Sequence, residues 1–486
     1  MSLWDFPVFI IDDLSTGPYG PEVSAKIAYI HSLYEMYYTG SGFAPDIPQD
    51  GEPDPTIWKS RKIKRLIDEQ AEFMVGNTPE IRVECGDHDD QCSNQSDMQD
   101  YLDAVLKKNN FASKLIRGAR DCFIGGRVFL KVNVLPDKIT IMFIPADNFL
   151  YFTEPDDVDT LSSVILFYCT RESEDRHLQR WWRQRYRMDG GKCYVRETLY
   201  DGYGNVIDGY GSDERDTGLS RIPGYVILNE GLSGDTEGES DILMISDDDS
   251  VYNEMRSRNS DSIKRNMNPM KYIIGASPKS MDRLSTKPGA INDITPDPVL
   301  KGTLPQVGCL ESSFGFNESY QETLKSINSE MLYNLGIPDV SAAVTSGLVT
   351  SGKGLKALYW SLISRCNGKW AVWKPALEAM ADIIIDAAAT FPQLKDVYGF
   401  FESETYTVTI EPNYALPEDE ETERELDLRE VGTSRSVKSY LMKWGGADYR
   451  GLTADQADAE IEQMAKEKRM FEDAVVGEMS GVDFGV

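Results

Sequence analysis

The stretch DILMISDDDSVYNEMRSRNSDSIKRNMNP, residues 241–269, decides how the chain is organised. Its helical pattern runs from Asp241 to about Asn266, which corresponds to roughly 39 Å of helix. The first part carries apolar side chains at helical spacing, whereas Arg256–Asp261 contains none. A helix that is polar all round in one half must be held by neighbouring elements or bridge solvent. Asn268-Pro269 ends the pattern.

The segment after this helix differs in kind. Residues 270–313 begin with a strand, Met270–Ala276, and continue with five prolines among short β-like runs, which predicts a small β-rich insertion. A second helix is predicted at about Asn317–Asn334, and Gly336-Ile337-Pro338 stops it. Helix, insertion and helix together predict an antiparallel helical pair with a small cap at its far end.

The regions on either side give the fold class. Upstream, helical patterns precede strand patterns, which predicts an α+β arrangement with an antiparallel sheet. The helices are expected at 22–38, 57–75, 96–109 and 111–123, and the strands at 127–134, 138–144, 162–170, 192–200 and 206–210. Downstream come a Gly- and Ser-rich loop, a long helix with an expected kink near Pro375, a strand and a charged helical tail. Their ranges are Ser341–Gly354, Leu355–Ala389, Tyr406–Glu411 and Pro417–Phe471.

Composition limits the function. The chain has 486 residues, with 50 Lys and Arg against 80 Asp and Glu, a formal net charge of −30. Binding of phosphates needs Lys and Arg, so this charge argues against a protein that grips nucleic acid over its whole surface. It does not exclude a protein that handles DNA without holding it. We expect no signal peptide at Met1–Asp12 and no bilayer-spanning segment, because acidic residues interrupt the apolar stretch Ala376–Phe391. The dispersed cysteines favour a reducing, cytosolic folding environment.

Residues for catalysis or metal binding form no convincing group. The three histidines are scattered, so no catalytic triad is indicated and we expect no enzyme and no cofactor. Cys85, His88 and Cys92 have loose metal-like spacing but no second ligand pair, so we expect no metal site. The run Asp247–Asp249 is interpreted as a solvated helix face, because consecutive helical residues point in different directions.

Gly347–Gly354 nearly matches the phosphate-binding loop of NTPases. The position that would supply the Mg²⁺-binding hydroxyl is Gly354 instead of Ser or Thr. We therefore interpret the segment as a flexible loop. An NTP-driven motor that uses this loop stays open as an alternative function.

The segment RWWRQRYR, Arg180–Arg187, alternates basic and aromatic residues. This pattern is compatible with contact to nucleic acid. It also fits an edge strand with Arg on one face, and in so acidic a chain we favour a contact between subunits.

Several short motifs, taken in order, resemble the portal proteins of tailed double-stranded-DNA bacteriophages, in particular those of long-tailed siphophages. The first half contributes Gly76–Pro79, Asn110-Phe111, Asp121–Arg127 and Lys131, followed by Gly238–Asp241, Asp249, Tyr252-Asn253, Ser257, Asp261 and Asn268-Pro269. The second half contributes Leu335–Asp339, the strand Tyr406–Glu411, Leu416–Asp419 and Val431–Ser434. Each motif is weak alone, and the order and spacing over most of the chain carry the resemblance.

The resemblance implies a portal fold and a domain order. The wing would be residues 1–240 and 355–412, with a stem of two helices at 241–268 and 314–336. The clip would be 269–313, the tunnel loop 337–354, and the crown with the C-terminal tail 413–486. Such a protein forms a ring, usually of twelve subunits, at one capsid vertex of the virion and is assembled in the host cytoplasm. A different acidic virion assembly protein is a further alternative.

The resemblance also implies partners and site residues. The partners would be other copies of the chain, double-stranded DNA, the large terminase, the major capsid or scaffold protein and a head-completion adaptor, with no membrane. The tunnel-loop residues toward DNA would be Ser341, Val344, Thr345, Ser346, Leu348, Val349, Thr350, Ser351 and Lys353. Basic rings in the stem would come from Arg256, Arg258, Lys264 and Arg265, unless these form salt bridges between neighbouring helices. Clip contacts with the terminase or adaptor would involve Lys279, Asp282, Arg283 and Lys287.

Overall fold

The structure is a computed structural model. It describes residues 10, 19–42, 54–85, 95–173, 175–211, 213–232, 234–267, 270–281, 294–299, 304–310, 315–340, 357–401, 406–414, 420–432, 435–445, 451–453 and 456–466. Helices and strands are mixed, which confirms the predicted α+β class at that level. The chain divides into one unit of Met1–Val340 with Tyr359–Ala415, and another of Ser341–Leu358 with Leu416–Val486.

The first unit begins with four helices: α1 (Tyr19–Thr39), α2 (Lys62–Val75), α3 (Gln95–Lys108) and α4 (Phe111–Gly125). Three of them confirm the predicted ranges to within three residues. The exception is α2, which begins five residues later than predicted, because residues 54–61 form neither helix nor strand.

Antiparallel strands follow the helices. A three-stranded sheet has the order β10 (Gly224–Leu228), β2 (Arg127–Leu135) and β3 (Lys138–Pro145). The hairpin of β2 and β3 turns at the predicted Leu135-Pro136-Asp137. A larger sheet has the order β4-β5-β6-β7-β8, with β9 paired to β7. Its strands are Phe149–Glu154, Asp157–Arg171, Arg180–Asp189, Lys192–Tyr200, Val206–Gly211 and Arg215–Asp216.

The edge-strand interpretation of Arg180–Arg187 is wrong. This segment is β6, which pairs with β5 on one side and with β7 on the other. Trp181 and Arg183 are 6% and 1% exposed, and the Arg183 guanidinium donates to the carbonyl of Ile10 at 3.2 Å. The alternation therefore reflects the two faces of an internal strand, of which one is buried.

Apolar packing joins the helices to the three-stranded sheet. Ile30 of α1 belongs to one buried cluster with Phe129 of β2, Phe149 of β4 and Leu166 of β5. Helix α4 lies close to β3 at Gly118, where a Cβ atom would stand 2.4 Å from the ring of Phe143. Only glycine allows this approach.

The remainder of this unit contains the helix pair and a return strand. Helix α5 (Ser246–Met267) follows a 3-10 turn at Asp241–Met244, and α7 (Asn317–Asn334) has the predicted bounds. Between them lie β11 (Met270–Ile274), the short helix α6 (Pro278–Met281) and β12 (Gln306–Leu310). Helix α8 (Trp360–Thr390) continues through Pro375 and is followed by α9 (Gln393–Tyr398). Strand β13 (Tyr406–Glu411) pairs antiparallel with β1 (Glu80–Cys85).

The second unit contains α10 (Glu420–Glu430), α11 (Val437–Trp444) and a helix at 456–466. Asp427 joins the first two of these helices. It accepts a hydrogen bond from the Trp444 indole at 2.6 Å and lies 3.0 Å from the Lys443 ammonium. These hydrogen bonds lower the pKa of the Asp427 carboxyl to about 2. The charged tail predicted from the sequence thus contains three helices among its described residues.

Candidate functional site

Helices α5 and α7 form an antiparallel pair, as predicted. The Asn334 amide at the end of α7 donates to the Met244 carbonyl, just before α5, at 3.1 Å. Strands β11 and β12 pair antiparallel and connect the opposite ends of the two helices. Helix, ribbon and helix thus form one continuous hairpin-like unit.

The polar half of α5 is held by the same chain. Asp249, Asn253, Ser257 and Asp261 recur every four residues, and we call this set the polar ladder. The segment 54–61, which has no helix or strand and which we call the strap, runs alongside them. The first three ladder residues are completely buried, and Asp261 is partly buried. The sequence argument that this helix needs a neighbour is correct, and within the described residues that neighbour includes the strap.

Alternate backbone amides of the strap donate to successive ladder side chains. Trp58 N–H donates to the Ser257 hydroxyl at 2.8 Å, and Ser60 N–H donates to the side-chain amide oxygen of Asn253 at 2.9 Å. One step further along, Thr56 N–H bonds the Asp261 carboxylate at 3.0 Å. The spacing of alternate strap amides matches the spacing of successive ladder side chains, because two residues of an extended chain advance about 6.7 Å and four residues of a helix advance about 6 Å. The strap therefore runs antiparallel to α5, and the side chains of α5 accept the hydrogen bonds that a partner strand would otherwise accept.

Asp249 forms the other end of the ladder. Its carboxylate accepts from the Ser41 hydroxyl at 2.5 Å, from the Ser41 amide at 3.1 Å and from the Asn253 amide at 3.0 Å, and it also contacts the Ser60 hydroxyl. Gly40, with φ +81°, makes the tight approach to the Ser60 carbonyl possible. The interpretation of Asp247–Asp249 as a solvated face is wrong for Asp249, because these donors replace water around its charge.

A buried ionic cluster holds the chain just before α5. Lys369, in the middle of α8, lies 2.9 Å from the Asp241 carboxylate and donates to the Asn229 side chain at 2.5 Å. Arg365, one turn earlier, contacts Asp241 at 3.1 Å and Glu230 at 2.9 Å. Asp241 and Lys369 are 1% and 3% exposed. Two cations and two carboxylates balance, so Asp241 and Lys369 are buried without an excess of charge.

The basic stem candidates are engaged within the chain wherever their side chains are described. The Arg256 guanidinium lies 4.1 Å from the ring centroid of Trp58. Arg258 pairs with Glu254 at 2.7 Å, one turn away in α5, and Lys264 donates to the Thr56 hydroxyl at 2.5 Å. The side chain of Arg265 lies outside the described residues, although its backbone belongs to α5.

The other predicted sites are described only in part. The tunnel-loop candidates, all within 341–354, lie outside the described residues. Of the clip candidates, Lys279 is exposed on α6, and Asp282, Arg283 and Lys287 lie outside. The same holds for His88 and Cys92. Among the residues that are described, no group of three His, Cys, Asp or Glu side chains could hold a metal ion. Within the described ranges, every helix is too short or too polar to cross a bilayer.

Sequence reasoning missed the strap and the Lys369 cluster. For Lys369 a signal was present, since it stands among Trp370, Trp373 and other apolar residues of α8. Such a lysine needs a carboxylate partner if it is buried. For the strap, the pattern at 57–75 was extended too far toward the N-terminus, because apolar Ile57 and Trp58 fit the helical spacing.

Comparison with known proteins identifies the class. The family model described as phage portal protein, SPP1 Gp6-like, matches residues 60–473, which is most of the chain. The chain belongs to this family and is a phage portal protein. Membership implies an oligomeric ring, association with capsid and DNA, and a place at the portal vertex of the virion. No curated protein gives a significant match to the chain.

A matched pair of serine variants tests the polar ladder. Ser257 and Ser262 both donate to the carbonyl four residues earlier in α5, but only Ser257 also accepts the Trp58 amide. Ser257→Ala should cost about 1–3 kcal/mol, because it leaves that amide unpaired. Ser262→Ala should stay within about 0.5 kcal/mol. Urea unfolding and the hydrogen-exchange rate of the Trp58 amide measure the difference, and equal behaviour of the two variants would contradict the ladder.

The ionic cluster gives a second prediction. Lys369→Met keeps an unbranched apolar side chain at this position but removes its charge. The buried Asp241 is then left with Arg365 as its remaining ion partner. We expect a loss of about 3 kcal/mol in the free energy of unfolding, the lower end for breaking a buried pair. The exposed Lys107→Met is the control and should change stability by less than about 0.5 kcal/mol. An unchanged urea midpoint for Lys369→Met would show that the cluster contributes no net stability.

Proposed function

We propose that this portal protein is the ring-forming subunit of a DNA conduit without catalysis of its own. Double-stranded DNA would enter the capsid through the ring during packaging, be retained there and leave through it at ejection. Family membership supports this proposal, and the continuous unit of α5, the ribbon and α7 is the observation that carries it. In this proposal α5 and α7 with their flanking residues, 241–268 and 314–336, form the stem, and 269–313 forms the clip.

The β11–β12 ribbon supports an assembly role. Ile274, Val307 and the adjoining Leu304 are 55%, 58% and 79% exposed. The pairing register puts Ile274 and Val307 on opposite faces, so apolar side chains are exposed on both faces of the ribbon. A two-stranded ribbon is marginally stable alone, and exposed apolar surface on it is typical of a contact surface. A ring supplies such a surface through the neighbouring subunits.

Charge supports passage of DNA without tight binding. Arg256 stacks on Trp58, and Arg258 pairs with Glu254, so these cations are already partnered. Twelve copies of a chain of charge −30 would carry about −360, a field that repels a polyanion. Weak phosphate contact would suit sliding, because every neutralised phosphate adds to affinity. The tunnel loop at 337–354 would then touch DNA through small side chains and Lys353.

The remaining assignments follow from the family. Residues 1–240 and 355–412 would form the wing and 413–486 the crown with its tail. A separate large terminase would drive packaging, a head-completion adaptor would dock at the clip, and the capsid or scaffold protein would surround the ring. Assembly would take place in the host cytoplasm.

Two valines of equal exposure test the ribbon contact. Val307 on β12 is 58% exposed, and Val158 on β5 is 56% exposed. The purified wild type should form closed rings with a central hole in negative stain, near twelve-fold. Val307→Asp should raise the concentration at which rings dissociate at least tenfold, about 1.4 kcal/mol, by burying a charge at the contact. Val158→Asp should leave rings unchanged. A monomeric wild type would overturn the proposal, and rings of Val307→Asp with wild-type stability would remove the ribbon from the interface.

ATP turnover separates the conduit from the motor alternative. We expect the purified wild type to hydrolyse no ATP above background, with no change in Lys353→Ala. The reason is that Gly354 stands where the Mg²⁺-binding hydroxyl is required. A colorimetric phosphate assay on both proteins measures this. Turnover in the wild type that disappears in Lys353→Ala would establish the motor instead.

A further inference from the structure

A cavity of about 380 Å³ lies between the three-stranded sheet and the larger sheet of the first unit. Its walls come from β2, β3, β5, β6 and β7, together with Asn148 and with Arg215 of β9. Tyr168 and Trp182 form an aromatic wall with ring centroids 4.8 Å apart, and Tyr168 is 46% exposed. The cavity is therefore open to solvent beside Tyr168 and has the size of a small ligand.

Lys131 of β2 brings a buried charge into this cavity. Lys131 is 3% exposed, and its ammonium donates to the Gln184 side-chain oxygen. Among the described residues, no carboxylate oxygen lies within ion-pair distance of this ammonium. Trp182 and Tyr186 present their rings at 5.8 and 5.4 Å. Burial lowers the pKa of Lys131 to about 8, because desolvation disfavours the charged form more than the nearby Glu197 carboxylate favours it.

The other charged groups leave the cavity positive. Glu197 accepts from the Gln184 amide at 2.6 Å and lies 3.5 Å from Arg215 at the rim. Lys131 and Arg215 against Glu197 give the lining a net charge of +1. In a chain of charge −30, this is a local reversal of sign. A singly charged anion would complete the charge balance.

From this geometry we propose that the cavity binds a carboxylate carried on an aromatic or apolar body. The carboxylate would meet Lys131, and the body would stack on Tyr168 and Trp182. A phosphate fits less well, because it needs several converging donors such as free backbone amides. The central strands use their amides in the sheets, since β2 pairs with β10 and β3, and β6 pairs with β5 and β7. A carboxylate next to an aromatic group can come from two sources. One is a free aromatic acid, and the other is a peptide of a partner protein in which an acidic residue stands beside an aromatic one.

Acid and amide pairs of equal shape test this on the assembled wild-type protein by isothermal titration calorimetry. The free-ligand pair is indole-3-acetate and indole-3-acetamide, and the peptide pair is acetyl-Glu-Trp-amide and acetyl-Gln-Trp-amide. We expect the acid of at least one pair to bind tenfold or more tightly than its amide, since a charge-assisted hydrogen bond is lost in the amide. The pair that shows the preference identifies the source. No binding by either pair, or equal affinity of acid and amide, would overturn the proposal.

Variants locate the binding. Lys131→Met should reduce the affinity for the acid to that for the amide, whereas the exposed Lys107→Met should keep the preference. A preference that persists in Lys131→Met would overturn the assignment. Tyr168→Ala, at the half-exposed wall, should weaken acid and amide alike about fivefold and leave their ratio unchanged. This second variant tests the cavity even if Lys131→Met does not fold, and unchanged affinity there would place binding elsewhere.

Discussion

The structure around the helix pair depends on one constraint: buried backbone amides must find hydrogen-bond partners. The strap beside α5 has no partner strand in the described residues, and the side chains of α5 take that role. Ser257 and Asn253 accept from alternate strap amides because the step of an extended chain nearly equals four helical residues. The segment Arg256–Asp261, which has no apolar residue, is thereby held to the strap by hydrogen bonds.

Buried charges also need partners, and ion pairs of this kind hold the segment just before α5. Asp241 lies in a buried cluster with Lys369 and Arg365 of α8. Removing one member leaves a charge that water cannot reach, so these elements are coupled in stability. The ladder and the cluster together orient α5, and through it the ribbon at its far end. A subunit that must present the same contact to each neighbour in a ring needs such an orientation.

Much of this could be predicted from the sequence. The bounds of α7 and β13, the β2–β3 hairpin and the antiparallel pair follow from periodicity, from turn residues and from the stop at Gly336-Ile337-Pro338. These signals are local, so they survive without knowledge of the tertiary structure. The predictions about Asp249 and β6 were wrong because they concern whether a residue is exposed to solvent or buried against other parts of the chain. Asp249 was interpreted as solvated and β6 as an edge strand, because a polar or basic residue looks exposed until its partners are known.

The sequence alone determined the class of the protein and the order of most of its helices and strands, because motif spacing and hydrophobic periodicity are properties of the linear chain. Its net charge of −30 also argues against a protein that grips nucleic acid over its whole surface. Only the tertiary structure decided which polar residues are buried. Ser41 and Asp249 are 208 residues apart, and Lys131 meets Gln184 across two sheets. Such partners come together only on folding, and the pairing determines whether a charge is solvated, structural or available to a ligand.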